Sequence, residues 1–245
     1  MSVRGDDGTV RQWAARRWLL SGALQASRSE ERPRRWVVAP DVEQSPPVPH
    51  WIAPSRAATD WPELATLTVV EVASTNARLP LGSHNGVEWD VVGDTLHGFL
   101  AADIPGLPPQ LRLDIARRLL VSSGLLTVLT PESLVQSGDS LRSWVDARWP
   151  GAIWQREVSI DAIVATSRGR RRIRGTIDLL LDTPRGAVII DHKTYPGAMN
   201  TWSDRAATFA PQLAAYSEAL RAAGRTVSEC WVSFAVAGGV VRLEG

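Results

Sequence analysis

Hydrophobic residues in the middle of the chain recur with helical spacing. Residues 93–102, 111–126 and 131–147 each place apolar side chains three and four positions apart, which predicts three amphipathic helices. Asp94 and Thr95 are candidates to cap the first helix, and Pro131 suits the first turn of the third.

The period then changes from that of a helix to that of a strand. Apolar and polar residues alternate from 154 to 165, and two further strands are predicted at 173–181 and 187–190, with a polar turn at 167–172. Such short connections predict an antiparallel meander. The remaining predictions are a helix at 208–223, ended by Gly224, and strands at 229–235 and 240–243. This order predicts an α/β domain over residues 91–245, with a mixed central sheet flanked by helices.

Residues 1–90 lack such a regular pattern and are predicted to form an irregular N-terminal extension. The first 60 residues are rich in arginine and proline, and proline at this density interrupts helices and ladders. Within this range we expect a helix near residues 10–26. The first mostly apolar run follows at 64–72.

Composition narrows the class of protein. The single cysteine, Cys230, excludes an intrachain disulfide framework and a four-cysteine zinc or iron–sulfur site within the 245 residues, and it fits a reducing, cytoplasmic setting. The sequence has no run of about 18 apolar residues, so no transmembrane helix is predicted. The apolar stretch at residues 18–23 is too short for a signal-peptide core. The net charge of +1 means that a nucleic-acid partner would need a local basic patch.

Lysine is used once among the 27 basic residues, and the other 26 are arginine. Lysine and arginine differ in chemistry, because lysine is a compact charge whose pKa can be tuned and arginine is a planar fork that stays protonated. The position of Lys193 is therefore informative.

Two neighbouring predicted strands end in carboxylates. Asp178 closes Gly175-Thr176-Ile177-Asp178, and Asp191 opens Asp191-His192-Lys193 after Val188-Ile189-Ile190. A hairpin between them would bring both acids to one edge of the sheet, where they repel each other unless a cation compensates. Hard oxygen ligands suit Mg²⁺ or Mn²⁺, and Lys193 would point to the same face as Asp191. A metal, two acids and an ammonium group can activate water and stabilise charge on a phosphate.

These residues resemble the core of the PD-(D/E)XK nuclease superfamily, and more narrowly its RecB-type nuclease domain. The matching pieces are Gly175-Thr176-Ile177-Asp178, Asp191-His192-Lys193-Thr194, a Q-x-x-x-Y motif at Gln212 and Tyr216, and a glycine-x-x-x-histidine motif at Gly93 and His97. The resemblance covers about residues 91–240 and implies a restriction-endonuclease-like core.

The resemblance also implies roles for single residues. Asp178, Asp191, His97 and the backbone carbonyl of His192 would bind the metal, and Lys193 would position or activate the attacking water. Gln212 and Tyr216 would brace the site and contact the nucleic-acid backbone, and Glu157 stands where the family often has an acidic residue. His192 departs from the pattern, because a tyrosine-like aromatic residue is more usual there.

A biological setting follows from the same resemblance. It implies a Mg²⁺- or Mn²⁺-dependent DNA exonuclease that acts on single strands or duplex ends during double-strand-break repair and recombination, beside a helicase subunit or domain, with no membrane partner. Pro54-Ser55-Arg56 resembles a segment that precedes this domain in RecBCD- and AddAB-like helicase–nucleases, so residues 1–90 would be a remnant of a helicase linker. The sequence has no phosphate-loop motif for ATP, because its one lysine follows His192.

Blander interpretations stay open beside these. His97 could be an ordinary helix histidine, and Gln212 and Tyr216 could serve packing alone. The arginines at 168, 170, 171, 172 and 174 could form a soluble turn or bind phosphates, and Trp202 could pack in the core or stack on a base. For the whole chain, the alternatives are a non-catalytic DNA-binding or scaffold module that retains the fold, and RNA cleavage on the same core.

Overall fold

The computed structural model describes residues 2–4, 10–12, 51–64, 66–81, 88–166 and 169–245. The chain divides into two compact units, Met1–Pro47 and Val48–Gly245. In the first unit, β1 (Ser2–Arg4) pairs antiparallel with β2 (Val10–Gln12). A helix was expected near residues 10–26. That expectation is wrong for Val10–Gln12, where pairing with β1 holds the backbone extended, and its remainder lies outside the described residues.

The second unit alternates between helices and strands. Its described helices are α1 (Ala57–Asp60), α2 (Trp89–Ala102), α3 (Pro109–Ser122), α4 (Pro131–Arg148), α5 (Trp202–Ala207) and α6 (Ala210–Ala222). Its described strands are β3 (Trp51–Ile52), β4 (Thr68–Ser74), β5 (Ile153–Thr166), β6 (Gly169–Thr183), β7 (Gly186–Lys193), β8 (Val227–Phe234) and β9 (Gly239–Glu244).

The seven strands of the second unit form one mixed sheet in the order β3-β6-β7-β8-β9-β4, with β5 paired to β6. The β5–β6–β7 meander is antiparallel as predicted, whereas β7 and β8 run parallel. A parallel pair needs a crossover connection, and the segment with α5 and α6 supplies it between β7 and β8. The predicted mixed α/β architecture is confirmed.

Two apolar layers enclose the sheet. Helices α2, α3 and α4 bury Leu96, Leu120 and Leu134 in one core, together with Leu181 and Ile190 from the sheet. On the opposite face, α6 buries residues such as Leu213 and Leu220 against the sheet residues Ile189 and Val232. The central strands β7 and β8 are therefore covered on both faces, which explains the uninterrupted apolar run of β7 at residues 187–190 and the burial of residues 230–234 in β8.

Several element boundaries differ from the sequence-based expectation. Helix α2 begins at Trp89 instead of residue 93, so Asp94 lies inside the helix and Thr95 donates to the Val91 carbonyl at 2.8 Å rather than capping the helix. Strand β6 begins at Gly169, so the turn predicted at 167–172 is shorter. Ile173 is fully buried while Arg174 is exposed, and this alternation suits a strand that carries arginines on its solvent face.

Part of the range 1–90 contributes to the sheet. Strand β3 pairs parallel with β6, and β4 pairs antiparallel with β9. Between them, the turn Pro54–Arg56 packs on the sheet so tightly that a Cβ added at Gly175 would lie 2.8 Å from Pro54 Cδ. The predicted extension therefore includes residues that pack beside the strand carrying Asp178.

Candidate active site

Asp178 and Asp191 lie next to each other at one end of the sheet. The β6–β7 ladder ends with the pair Leu179–Ile190, and the two aspartates are the next residues on their strands. The Asp178 carboxylate accepts a hydrogen bond through Oδ2 from the backbone N–H of His192, at 2.7 Å. The hairpin thus brings together the two acids that the sequence separates by 13 positions.

The backbone of β5 is irregular at Glu157, directly opposite Asp178. Glu157 has a φ of 50°, which is uncommon for a residue with a side chain, and it lies opposite Asp178 between the pairs Arg156–Leu179 and Val158–Ile177. At this point strict alternation fails, because Ile177 joins the core beside α6 although Leu179, two residues on, joins the core beside α2. Such local irregularities in a strand often re-aim a side chain next to an active site.

Lys193 forms an ion pair with Asp191. Its Nζ lies 2.6 Å from Asp191 Oδ2, and the Asp191 side chain is only 1% exposed whereas that of Lys193 is 21% exposed. The two residues are two positions apart on β7 and so share the face toward α6. The lysine stem also brings the ammonium group to 5.0 Å from the centre of the Phe209 ring.

Gln212 and Tyr216 link helix α6 to the two strands that carry Asp178 and Asp191. Gln212 Nε2 donates to Asp191 Oδ1 at 2.9 Å and contacts the Tyr216 hydroxyl at 3.2 Å. Tyr216 in turn donates its O–H to the Thr176 carbonyl of β6 at 2.6 Å. Because the two side chains are four residues apart on one helix face, this chain of contacts fixes α6 against Asp191 and β6 together.

The two histidines lie on the face toward α2. His97 Nδ1 is 3.7 Å from Asp178 Oδ1, and the rings of His97 and His192 meet edge to face with centroids 5.9 Å apart. His192 is 4% exposed, and its Nδ1 has no hydrogen-bond partner among the described residues. Gly93 allows α2 to approach the end of β7, because a Cβ there would lie 2.5 Å from Thr194 Oγ1.

Burial shifts the pKa values of Asp178, Asp191 and His192 in the direction that disfavours the charged form of each side chain. Burial, and then the charge of Asp191, raise the pKa of Asp178 to about 6. Burial also raises the pKa of Asp191, and the nearby Lys193 opposes that shift. Burial lowers the pKa of His192 to about 3, so this imidazole is neutral at physiological pH. Burial thus disfavours the charged form of all three groups, and both carboxylates would gain from a cation placed beside them.

A hard divalent cation fits this pair of carboxylates. Within the described ranges, no three side chains of His, Cys, Asp or Glu already stand in a metal-binding arrangement. Mg²⁺ needs no such cage, because it is commonly held by one or two carboxylates while waters and substrate phosphates complete its shell. Two neighbouring carboxylates whose pKa values are raised chiefly by burial are a suitable donor set, with His97 beside Asp178.

A cleft of ≈ 620 Å³ opens beside these residues. Its lining includes His97, His192 and Lys193 together with Asp94, which was expected only as a helix cap. It also includes residues that the sequence analysis did not single out: Trp89, Asp90, Tyr195, Arg205 and Phe209. Trp89 is the first residue of α2, and Arg205 lies in the last turn of α5. Both are exposed, and only their shared position on this cleft distinguishes them from other surface residues.

Other residues considered from the sequence lie elsewhere or are partly engaged. The base-stacking option for Trp202 is wrong, because the side chain is 3% exposed and its Nε1 donates to the Gly197 carbonyl. In the arginine-rich hairpin, Arg172 forms a two-pronged ion pair with Asp161 at 2.6 Å, and Arg171 lies 3.7 Å from Glu63. Arg168 lies outside the described residues.

No helix in the described part of the chain has the length and apolar character needed to cross a bilayer. A comparison with curated proteins found no significant match. The family model of the PD-(D/E)XK nuclease superfamily matches residues 112–241, which is more than half of the chain. The matched range runs from α3 to β9 and includes Asp178, Asp191 and Lys193 in the geometry described above. The mixed sheet with its flanking helices is therefore a restriction-endonuclease-like fold, and the chain belongs to the PD-(D/E)XK nuclease superfamily.

Proposed function

We propose that this chain is a Mg²⁺- or Mn²⁺-dependent deoxyribonuclease that hydrolyses phosphodiester bonds. Membership of the superfamily implies nuclease activity in general. The observation that carries the finer proposal is the buried pair Asp178 and Asp191 with the Lys193 ammonium group 2.6 Å from Asp191. An inactive scaffold has no need for two repelling carboxylates and a lysine at a cleft.

Each residue of the site would have its own role in the hydrolysis. Gln212 and Lys193 hold the two oxygens of Asp191 in one orientation, and the His192 N–H holds Asp178. A bound divalent cation would supply Lewis-acid stabilisation of phosphate charge and a more acidic water. Lys193 orients the attacking water with its ammonium group and offsets negative charge that develops on the phosphate.

The reaction is a simple hydrolysis. The oxygen of water forms a new bond to phosphorus while the bond from phosphorus to one of its two sugar oxygens breaks. That leaving oxygen, which belongs to the deoxyribose of the neighbouring nucleotide, takes up a proton, and the proton lost by the attacking water passes to solvent. The products are a phosphate monoester end and a hydroxyl end, and no oxidant or further reactant is needed.

We further propose that the chain is a RecB-type exonuclease domain that works in the cytoplasm beside a UvrD/RecB-like helicase during double-strand-break repair and recombination. Four sequence motifs in one order support this assignment, from Gly93 and His97 to Gln212 and Tyr216. The contacts from Gln212 to Asp191 and from His97 to Asp178 are consistent with it. The family match begins at residue 112, so His97 rests on the motif and on its position alone.

The experiment is a digestion of end-labelled DNA and RNA strands of the same sequence, with Mg²⁺, Mn²⁺ or EDTA. The proposal expects cleavage of DNA with either metal and none with EDTA. Inactivity on both substrates with both metals would favour the non-catalytic module, especially if the protein still binds DNA. Faster cleavage of RNA than of DNA would instead favour a ribonuclease on this core.

A further inference from the structure

The cleft beside Lys193 has two walls of different chemistry. One wall is the start of α2, which contributes Trp89, Asp90 and Asp94. The other wall follows β7 and includes Tyr195, Arg205 and Phe209. The cleft therefore sets acidic and aromatic groups on one side against cationic and aromatic groups on the other.

The cationic wall is organised around two aromatic rings. The Arg205 guanidinium lies 5.5 Å from the centre of the Tyr195 ring and 5.1 Å from that of Phe209. Among the described residues, no carboxylate lies within ion-pairing distance of Arg205, although Arg172, Arg148 and several other arginines have such partners. Arg205 is thus an exposed cation, held in place by rings, that remains able to bind an anion.

The opposite wall presents Trp89 on the helix stripe that also carries the active-site histidine. Trp89, Gly93 and His97 are spaced by four residues and so lie above one another on α2, over roughly 12 Å of helix axis. His97 faces Asp178, and Gly93 lies against Thr194. Trp89 continues this row outward along the cleft, and its indole is 42% exposed.

We propose that this cleft contains a nucleotide-binding subsite in which Trp89 stacks on an unpaired base and Arg205 binds a phosphate of the same strand. The proposal rests on the proposed nuclease function and assigns the position of the strand next to the cleaved bond. Asp90 and Asp94 exclude phosphates from the α2 wall, so the backbone runs along the wall of Arg205 and Lys193. The carboxylates of Asp90 and Asp94 can lie beside the edges of bases, because they can accept hydrogen bonds from exocyclic amino groups.

The same arrangement selects unpaired strands over duplex. A protein indole stacks well on a base whose face is free, and stacking of this kind contributes about 1–3 kcal/mol per base. In the interior of a duplex both faces of a base are already stacked, so Trp89 gains such a contact only at a duplex end or on a single strand.

The test measures affinity without cleavage. Fluorescence anisotropy of a labelled single strand, and of a blunt duplex of the same sequence, would be recorded with the full chain in Ca²⁺. The variants are Trp89→Ala, Trp89→Phe and Arg205→Ala. Matched controls are Trp51→Ala, whose side chain is 54% exposed away from the cleft, and Arg117→Ala on α3. Thermal unfolding by circular dichroism checks that each variant is folded.

We expect Trp89→Ala to weaken single-strand binding about tenfold, Trp89→Phe to retain most of the affinity, and both controls to bind as the wild type does. Arg205→Ala should weaken binding and lower the slope of log affinity against log salt by about one. Wild-type affinity in Trp89→Ala, an equal loss for duplex, or no single-strand binding by the wild type would overturn the proposal. If the wild type cleaves DNA and Trp89→Ala binds single strands as tightly as the wild type does, the subsite is wrong and the nuclease function stands. If Trp89→Ala binds single strands more weakly but the wild type cleaves DNA with neither Mg²⁺ nor Mn²⁺, the nuclease function is wrong and the subsite stands.

Discussion

The Lys193 ammonium group lies 2.6 Å from Asp191 Oδ2, on a carboxylate that is 1% exposed. The ammonium group compensates the buried charge of Asp191. Within the described part of the chain, the Asp178 carboxylate accepts a hydrogen bond from the His192 N–H and lies 3.7 Å from His97 Nδ1. Lys193 is therefore both a counter-ion for Asp191 and a cation at the edge of the cleft.

Replacing Lys193 by arginine separates these two roles. Lys193→Arg keeps a positive charge near Asp191, so the protein should stay folded, but the planar guanidinium cannot place a point charge where the ammonium stands. We expect cleavage to fall by about 100-fold or more, which corresponds to about 2.7 kcal/mol of lost transition-state stabilisation. Initial rates with Mg²⁺ provide the measurement. Activity within threefold of wild type would mean that Lys193 supplies charge alone.

Replacing Gln212 by leucine tests how Asp191 is oriented. Gln212→Leu removes the amide that donates to Asp191 Oδ1 and leaves that buried oxygen without this partner. We expect the free energy of unfolding to fall by about 1–3 kcal/mol and cleavage to fall at least tenfold. Urea unfolding and initial rates give the two numbers. Gln110→Leu is the control, since Gln110 bonds only Asp114 on the exposed face of α3, and it should change neither quantity appreciably.

Glycine and alanine at position 157 distinguish strain from chemistry. With a φ of 50°, Glu157→Gly should be more stable than Glu157→Ala by about 1 kcal/mol, because glycine has no steric penalty in this region. If the carboxylate contributes to the reaction, both variants should lose activity to the same extent. Full activity in Glu157→Gly would show instead that the acid at this position serves no step of cleavage.

The aspartate pair predicts how stability depends on pH in the absence of metal. The pKa of Asp178 is raised from 3.8 to about 6 in the folded state, so folding favours its protonated form. The resulting stability is complete below about pH 4 and is lost as pH rises through about 6; two pKa units correspond to about 3 kcal/mol. Chemical denaturation at pH 4 and pH 7 in EDTA measures this difference. Asp178→Asn should flatten the dependence, and Mg²⁺ at pH 7 should stabilise the wild type more than this variant. An unchanged pH dependence in Asp178→Asn would contradict the assignment.

Local spacing was enough to predict that Asp178, Asp191 and Lys193 lie close together. A hairpin has a fixed register, so two acids on neighbouring strands and a lysine two residues beyond the second could be placed together from the sequence. Gln212 and Tyr216 share a helix face for the same kind of reason, and the structure shows both facing the aspartate end of the sheet. The functional roles of these residues remain predictions.

Features that depend on long-range packing could not be predicted in the same way. Strand β3 has two residues in a proline-containing stretch and exists because it pairs with Arg172 and Ile173 of β6. Trp202 lies in a polar segment, and it is buried because Gly239 gives its ring room; a Cβ there would lie 2.7 Å from the ring. Trp89 precedes the predicted start of its helix, so nothing local associated it with the cleft.

The most direct test of the central claim is the Mg²⁺-dependent rate of DNA cleavage by the wild type, by Asp191→Asn and by the control Asp139→Asn. Asp139 is a half-exposed acid of α4 that pairs with Arg112, away from the aspartate pair. We predict that the wild type and Asp139→Asn cut at similar rates and that Asp191→Asn is slower by about 1,000-fold or more, a loss of about 4 kcal/mol. Equal rates for Asp191→Asn and the wild type would contradict it.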